Sequence, residues 1–242
     1  MDRVIFCEVQ SNKLIKILSK TNEHKVYNLQ KICSIMKGEV LDIVKSGKIL
    51  GKFVNMPESQ VIKSINELKI SVPLVMKMVS MDAIHKTEVG GVIIVHRNEE
   101  IESCFNDLIS LAKKEKLKLN GVLVQKFIEG QQLIIGLKKD NTFNHVILFG
   151  LGGIFTELLN DVSIRKCPIT SEEAHDMVNE LKSKELFNGF RNIKLNLEIL
   201  KQDLVSVSKI PQKYKNIKEL DINPYILNNK IGMAVDIRMV LT

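Results

Sequence analysis

The sequence predicts an α+β fold. Three observations carry that expectation. Segments with helical and strand periodicity are mixed along the chain, hairpin signals recur, and the glycine-rich stretch "FGLGG" is not embedded in a βαβ unit. The 242 residues suit one large domain or two small lobes, and 45% apolar residues are enough for a substantial core.

Taken in order, residues 1–37 are polar and lysine-rich, with short helices expected around "NKLIKILSK". "GEVLDIVKSGK" (38–48) reads as a helix ending near Gly47, and "KFVN" as a short strand. Pro57 and Glu58 open a helix with an apolar stripe of Val61, Ile65 and Leu68. "LVMKMV" and "GGVIIVH" are strands. A helix over about 99–115 follows, with Ile101, Cys104, Phe105, Leu108, Ile109 and Ala112 at spacings of three and four. "GVLVQKF" is a third strand, and "LIIGLKKD" with "HVILFG" forms a hairpin around Asp140-Asn141. Thr170 and Glu173 are spaced as a capping box. "LEILKQDLVSVSKI" is a further helix, and two strands joined through Asn228-Asn229 close the chain.

Composition narrows the function. Four isolated cysteines (Cys7, Cys33, Cys104, Cys167) form no C-x-x-C pair and read as reduced thiols. The +7 charge is spread along the chain rather than gathered, and aromatics are only 5%, so a nucleic-acid partner is not expected. No apolar run approaches the roughly 20 residues that span a bilayer, so no membrane partner is expected either. The opening "MDRVIFCEVQSNK" has an acid and polar residues where a signal peptide carries its apolar core, which points to the cytoplasm.

Three stretches carry chemistry. In "VMKMVSMDAIHKTEVGG" (75–91), Lys77 sits mid-strand. It either points to solvent or enters a cleft as a cation for phosphate. The glycine pair after "TEV" lets backbone N–H groups approach an anion, although the stretch is not a Walker A sequence. His85 is either a structural or surface residue, or a contact or acceptor for a phosphoryl group. In "FGLGGIFTELLNDVSIR" (149–165), Gly150, Gly152 and Gly153 would free donors for an anion. Glu157, Asp161 and Arg165, four apart, fit one face of a helical turn, either salt-bridged or functional. In "ELDINP" and "AVDIR", Asp221 and Asn223 share a strand face, and an antiparallel partner strand would bring Asp236 beside Asn223. Two such oxygens suit Mg²⁺ completed by phosphate and water. The alternative is a pair between Asp236 and Arg238 or a lysine.

In this order, "VMKMVSMDAIHKTEVGGV", "GVLVQKF", "FGLGGIFTELLNDVSIRKCPIT" and "ELDINP…AVDIR" resemble the β subunit of the NDP-forming acyl-CoA synthetases, the archaeal ADP-forming acetate–CoA ligases. These are ATP-grasp proteins related to the succinyl-CoA synthetase β subunit. The resemblance runs from about residue 38 to the end, and the length suits a free-standing β subunit.

The resemblance implies an ATP-grasp fold with two lobes around a nucleotide cleft. The implied organisation is an N-terminal helical segment over 1–45, lobe one over 46–123 and lobe two over 124–242. It implies ATP or ADP and Mg²⁺ as cofactors. Lys77 would contact phosphate, and Glu88, Val89, Gly90 and Gly91 would cover it. The strand through Gln125, Lys126 and Phe127 would reach the hinge beside adenine, with Gln132 in the cleft. Asn223 and Asp236 would hold Mg²⁺. Asp221 would lie where a phosphohistidine arrives, and His85 would take the phosphoryl group in transit. The reaction implied is acyl-CoA, phosphate and ADP to acid, CoA and ATP, with acetyl-CoA foremost. A separate CoA-binding α subunit would complete an α2β2 heterotetramer. Gln131 and Gln132 depart from the family, which usually has Arg-Glu there. Two alternatives stay open: a non-catalytic nucleotide-binding regulator, and the same chemistry on succinate or an aryl acid.

Overall fold

The structure is a computed structural model, and it describes residues 39–41, 43–80, 91–152 and 161–242. Two antiparallel sheets organise it. The smaller has the strand order β2-β5-β3-β4, from β2 (Ser59–Ile62), β3 (Leu74–Ser80), β4 (Val92–Val95) and β5 (Leu119–Lys126). Period-2 patterning builds it. Leu74, Met76 and Met78 of β3 turn to one face and pack with Val95, Val122 and Val124. Helix α2 (Ile101–Lys114) covers that face through Phe105, Leu108 and Ala112. The alternate residues, Val75 and Lys77, point the other way, opposite Gln125 and Leu123 in register.

The larger sheet has seven strands. Its order is β1-β11-β9-β6-β7-β8, with β10 added to β9. The strands are β1 (Glu39–Leu41), β6 (Gln131–Asp140), β7 (Asn144–Leu151), β8 (Val162–Lys166), β9 (Ile217–Leu227), β10 (Gly232–Ala234) and β11 (Ile237–Leu241). One face buries Leu133, Ile135, Ile147, Phe149, Leu220, Ile222 and Met239. That core continues into Leu50 of α1 (Ile43–Leu50), Met177 of α3 (Ser171–Asn179) and Leu204 of α4 (Leu197–Ser208). Truncating Phe149 to alanine there costs roughly 3–5 kcal/mol. A short helix, α5 (Ile210–Lys213), leads into β9. The opposite face has an apolar half of Ile134, Leu148 and Val162 and a charged half on β9 and β11.

The turn chemistry follows the sequence. Asp140 Oδ1 accepts from the N–H groups of Thr142 and Phe143, both at 2.8 Å, and so closes the β6–β7 hairpin. The capping box is complete. Thr170 Oγ1 accepts from Glu173 N at 3.2 Å, and Glu173 Oε2 accepts from Thr170 N at 2.7 Å.

Four local expectations are corrected. Residues 39–41 form β1 rather than the start of a helix, because pairing with β11 satisfies their backbone; the helix begins at Ile43. "KFVN" is the turn that ends α1, with Phe53 N donating to Leu50 O at 2.8 Å. Residues 59–62 form β2 rather than a helix. Ile62 is buried, and the Gln60 amide ties the following turn through Glu67 O and Lys69 N. Residues 162–166 are strand β8, so Asp161 and Arg165 do not share a helical face. Of the expected N-terminal segment, only 39–41 and 43–45 are described. The expected lobe boundary after residue 123 falls inside β5, all of which belongs to the smaller sheet.

Candidate functional site

β3 aims Lys77 away from its own core. Only 5% of Lys77 is exposed, and its ammonium donates to the carbonyl oxygen of Val235 at 2.9 Å. Burial pulls its pKa below the usual lysine value, while Asp236 pulls the other way. The solvent-facing reading of Lys77 is therefore excluded: it is a buried cation beside a carboxylate, spanning from one sheet to the other.

The β9–β11 connection builds the carboxylate side. Asn223 N donates to the Asp236 carbonyl at 3.1 Å, and Val235 N donates to Pro224 O at 3.1 Å. These bonds place Asn223, in the middle of β9, beside Asp236, which sits in the bend between β10 and β11 rather than in the middle of a strand. Asp236 Oδ1 accepts from Ile237 N at 3.0 Å, which fixes the carboxylate and leaves Oδ2 for another partner. Below this turn, Tyr225 donates to Asp203 Oδ2 of α4 at 2.6 Å. A Cβ on Gly232 would come within 1.8 Å of the Tyr225 hydroxyl, so only glycine fits there. Burial raises the Asp203 carboxyl to about 6, and burial, followed by Asp203, raises the Tyr225 phenol.

The donor set fits Mg²⁺ and a nucleotide. Asn223 and Asp236, which carry one amide and one carboxylate oxygen donor, are neighbours through their backbones, and the buried Lys77 ammonium feels the Asp236 charge. Mg²⁺ takes such a partial set when phosphates and water complete its octahedron. Among the described residues, no group of three or more His, Cys, Asp and Glu forms a metal cage of its own.

Asp221 is buried on the charged face, directly opposite Arg238 on one side and Gly136 on the other. The Gln125 amide is 1% exposed, lies on the same face of β5 as Lys77 on β3, and has an Oε1 without a hydrogen-bond partner. Lys126 is exposed. Phe127, half-buried, meets His96 edge-on at 5.9 Å between centroids. Gln132 is exposed on β6, and its carbonyl accepts from Gly152 N at 3.0 Å. Gly91 O accepts from Met78 N at 3.0 Å. His85, Glu88, Val89 and Gly90 lie outside the described residues.

The second glycine cluster has a different use from the one expected. Gly152 spends its N–H on Gln132, and a Cβ on it would meet the Leu133 backbone at 2.9 Å. Its role is close strand approach, not a donor offered to an anion. Gly153 and Glu157 lie outside the described residues. Asp161 caps the turn after α3, accepting from Lys182 N at 2.7 Å and Ser183 N at 2.8 Å, while Arg165 pairs with Glu180.

Sequence reasoning missed Glu219 and the part played by Arg238. Glu219 is 3% exposed, and Arg238 Nη1 lies 3.4 Å from its Oε1. Period-2 reading of "ELDINP" puts Glu219, Asp221 and Asn223 on one face, so the signal for Glu219 was present.

Known proteins share this fold. The family described as "ATP-grasp domain" matches residues 38–241. The β subunit of acetate–CoA ligase [ADP-forming] I from Pyrococcus furiosus is 37% identical over 198 residues, covering 78% of this chain and 85% of that protein. Acetate–CoA ligase [ADP-forming] I from Archaeoglobus fulgidus is 39% identical over 176 residues, 71% of this chain but 26% of that protein; the chain thus spans about a quarter of that longer relative. The dinucleotide-forming acetyl-coenzyme A synthetase 1 of Ca. Korarchaeum cryptofilum, solved with coenzyme A, Ca-AMPCP and HgCl+, superposes with TM-score 0.80 at 32% identity. That match covers 88% of this chain and 98% of the solved one. A second structure of the same protein holds coenzyme A and Mg-AMPPCP, with its phosphohistidine segment pointing towards the nucleotide binding site (TM-score 0.74, 30% identity, 88% of this chain and 97% of that one). The two-sheet architecture, the matched span and the near full-length β-subunit relative make one assignment: the chain belongs to the ATP-grasp family, among the β subunits of ADP-forming acyl-CoA ligases.

Proposed function

We propose that the chain is the nucleotide-binding β subunit of an ADP-forming acyl-CoA synthetase, with acetyl-CoA as the foremost substrate. The reaction is acyl-CoA, phosphate and ADP to acid, CoA and ATP, run reversibly through a phosphohistidine. The observation that supports it most is the junction at Asp236, where a buried lysine of the smaller sheet bonds the Val235 carbonyl beside Asp236, whose backbone in turn bonds Asn223 of β9. Such a junction offsets phosphate charge during phosphoryl transfer. In this reading Lys77 binds phosphate, and Asn223 with Asp236 holds Mg²⁺. The loop over Glu88, Val89, Gly90 and Gly91 covers the phosphates. Gln125, Lys126, Phe127 and Gln132 line the nucleotide cleft. Bound Mg²⁺ would screen the phosphate charge during transfer.

Asp221 receives the partner's phosphohistidine, and His85 relays the phosphoryl group. The partner is a CoA-binding α subunit in an α2β2 assembly. No helix among the described residues is long and apolar enough to cross a membrane, which accords with a cytoplasmic site of action.

The test mixes the chain with a CoA-binding α subunit, acetyl-CoA, ADP, phosphate and Mg²⁺, and measures ATP. ATP formation that requires both chains is expected; its absence refutes the assignment. Gln131-Gln132 supports a second reading, a regulator that binds nucleotide without turnover. Labelling of the partner's histidine from ATP separates the two.

A further inference from the structure

The charged half of the larger sheet holds an ion pair that the assigned roles leave unexplained. Arg238 and Glu219 meet at 3.4 Å, long for a charge-assisted bond, through one oxygen and one terminal nitrogen. Glu219 Oε2 and Arg238 Nε are both buried with no hydrogen-bond partner. An arginine built only to neutralise Glu219 would use its planar fork on both oxygens. Here half the fork is unspent. Its side chain is 24% exposed, against 3% for Glu219, so the arginine is the more accessible member of the pair.

The position of the pair gives the unused donors a purpose. Arg238 stands directly across from Asp221, and on the far side of Asp221 the facing residue is Gly136, which has no side chain. Asp221 is thus flanked by a cation on one side and by a residue without a side chain on the other. Asp236, two residues before Arg238, lies in the bend that leads into the same strand.

Resting on the β-subunit reading above, we propose that Arg238 is a further phosphoryl-binding residue, which grips the phosphoryl group as it arrives on the partner subunit's imidazole beside Asp221. In the transfer, the N–P bond of the phosphoimidazole breaks and an O–P bond to the terminal oxygen of ADP forms. The ring, protonated on its other nitrogen next to Asp221, keeps the bonding pair and leaves as neutral imidazole. Charge is conserved: the phosphoimidazolium (−1) and ADP (−3) become imidazole and ATP (−4). Arg238 supplies fixed positive charge and two donors to the moving oxygens, while Glu219 holds the guanidinium in place between turnovers.

The experiment labels a CoA-binding α subunit on its histidine from [γ-³²P]ATP, then follows single-turnover return of label to ADP. It uses the wild-type chain, Arg238→Gln, Arg238→Lys and Glu219→Gln. Loss of a transition-state donor predicts a fall of about 100-fold for Arg238→Gln. The ADP dissociation constant should stay within about threefold, since one tenfold step would already equal about 1.4 kcal/mol of binding. Arg238→Lys keeps the charge for Glu219 but lacks the fork, so an intermediate rate is expected. Glu219→Gln should lose less than Arg238→Gln. Arg238→Gln transferring at the wild-type rate overturns the role, as does an ADP affinity that falls in step with the rate. If Arg238→Gln does not fold, a wild-type rate for Arg238→Lys overturns it instead. No transfer by the wild-type chain overturns the β-subunit reading itself, a result distinct from wild-type transfer matched by the variants.

Discussion

The Lys77 ammonium donates to the Val235 carbonyl at 2.9 Å, so the centre of the smaller sheet is tied to the residue that precedes Asp236. The bond couples the two sheets at the point where phosphate charge would sit. Lys77→Met should weaken ADP binding by tenfold or more, since it deletes the buried cation, while keeping the apolar stem that packs on β3. Calorimetric titration with ADP and Mg²⁺ measures this; unaltered affinity would show that Lys77 serves only as a strut between sheets.

Asp236→Asn should raise the Mg²⁺ concentration needed for half-maximal nucleotide binding by about tenfold, while the chain still folds. The carboxylate's hydrogen bond is to a local N–H that an asparagine oxygen can also accept, so the change removes only the negative charge beside Lys77. A nucleotide complex with the Asn223 and Asp236 side-chain oxygens more than about 8 Å apart would rule out a shared Mg²⁺, whose bonds are about 2.1 Å. Gross unfolding of the variant would assign Asp236 a structural role.

Gln132 is exposed on β6, at the position where the family resemblance implies an acid. Gln132→Glu should change the ADP dissociation constant measurably. A constant that does not move at any Mg²⁺ concentration would make the departure neutral.

Asp203 carries a pH signature. Burial raises its folded-state value from 3.8 to about 6, with the Tyr225 hydroxyl partly opposing the rise. The folded chain therefore holds the proton more tightly than the unfolded chain. This contribution is complete below about pH 3.8 and is lost as pH rises through about 6. Asp203→Asn keeps an acceptor for Tyr225 but cannot ionise. Its stability relative to wild type should rise between pH 4 and pH 7 and then level off. Denaturant midpoints across that range test this, and a flat difference would sink it.

His85→Asn should preserve ADP binding, because Lys77, Asn223 and Asp236 remain. The overall rate with an α subunit should fall by at least about 100-fold, the low end for losing a group that takes part in the chemistry. ATP formation at the unaltered rate would end the relay role.

Much of this molecule was legible in its residues, and most of the misses share a cause. Strands β3 to β7 declare themselves through alternation and turn chemistry, and the capping box at Thr170 is local. Three of the four segments read wrongly, 39–41, 59–62 and 162–166, are short strands whose form is set by partners distant in sequence: β11, β5 and β7. Local propensity carries no record of such partners. The site behaved likewise. Spacing put Asp236 beside Asn223 but in mid-strand, where the structure has a bend, and nothing in "VMKMV" announces that Lys77 reaches a carbonyl 158 residues away. Arg238 was considered as a partner for Asp236; the register instead sets it opposite Asp221 and in reach of Glu219.

Strand β9 ties accuracy of folding to chemistry. Leu220 and Ile222 fill the core while Glu219 and Asp221 occupy the other face. A slip of one residue against β6 or β11 would drive two carboxylates into that core and expel the two aliphatic side chains. The mispaired sheet is therefore penalised by the charges that equip the site. The acids act as a built-in proofreader of strand alignment, and a variant that replaced both with apolar residues would lose a safeguard against misassembly along with its chemistry.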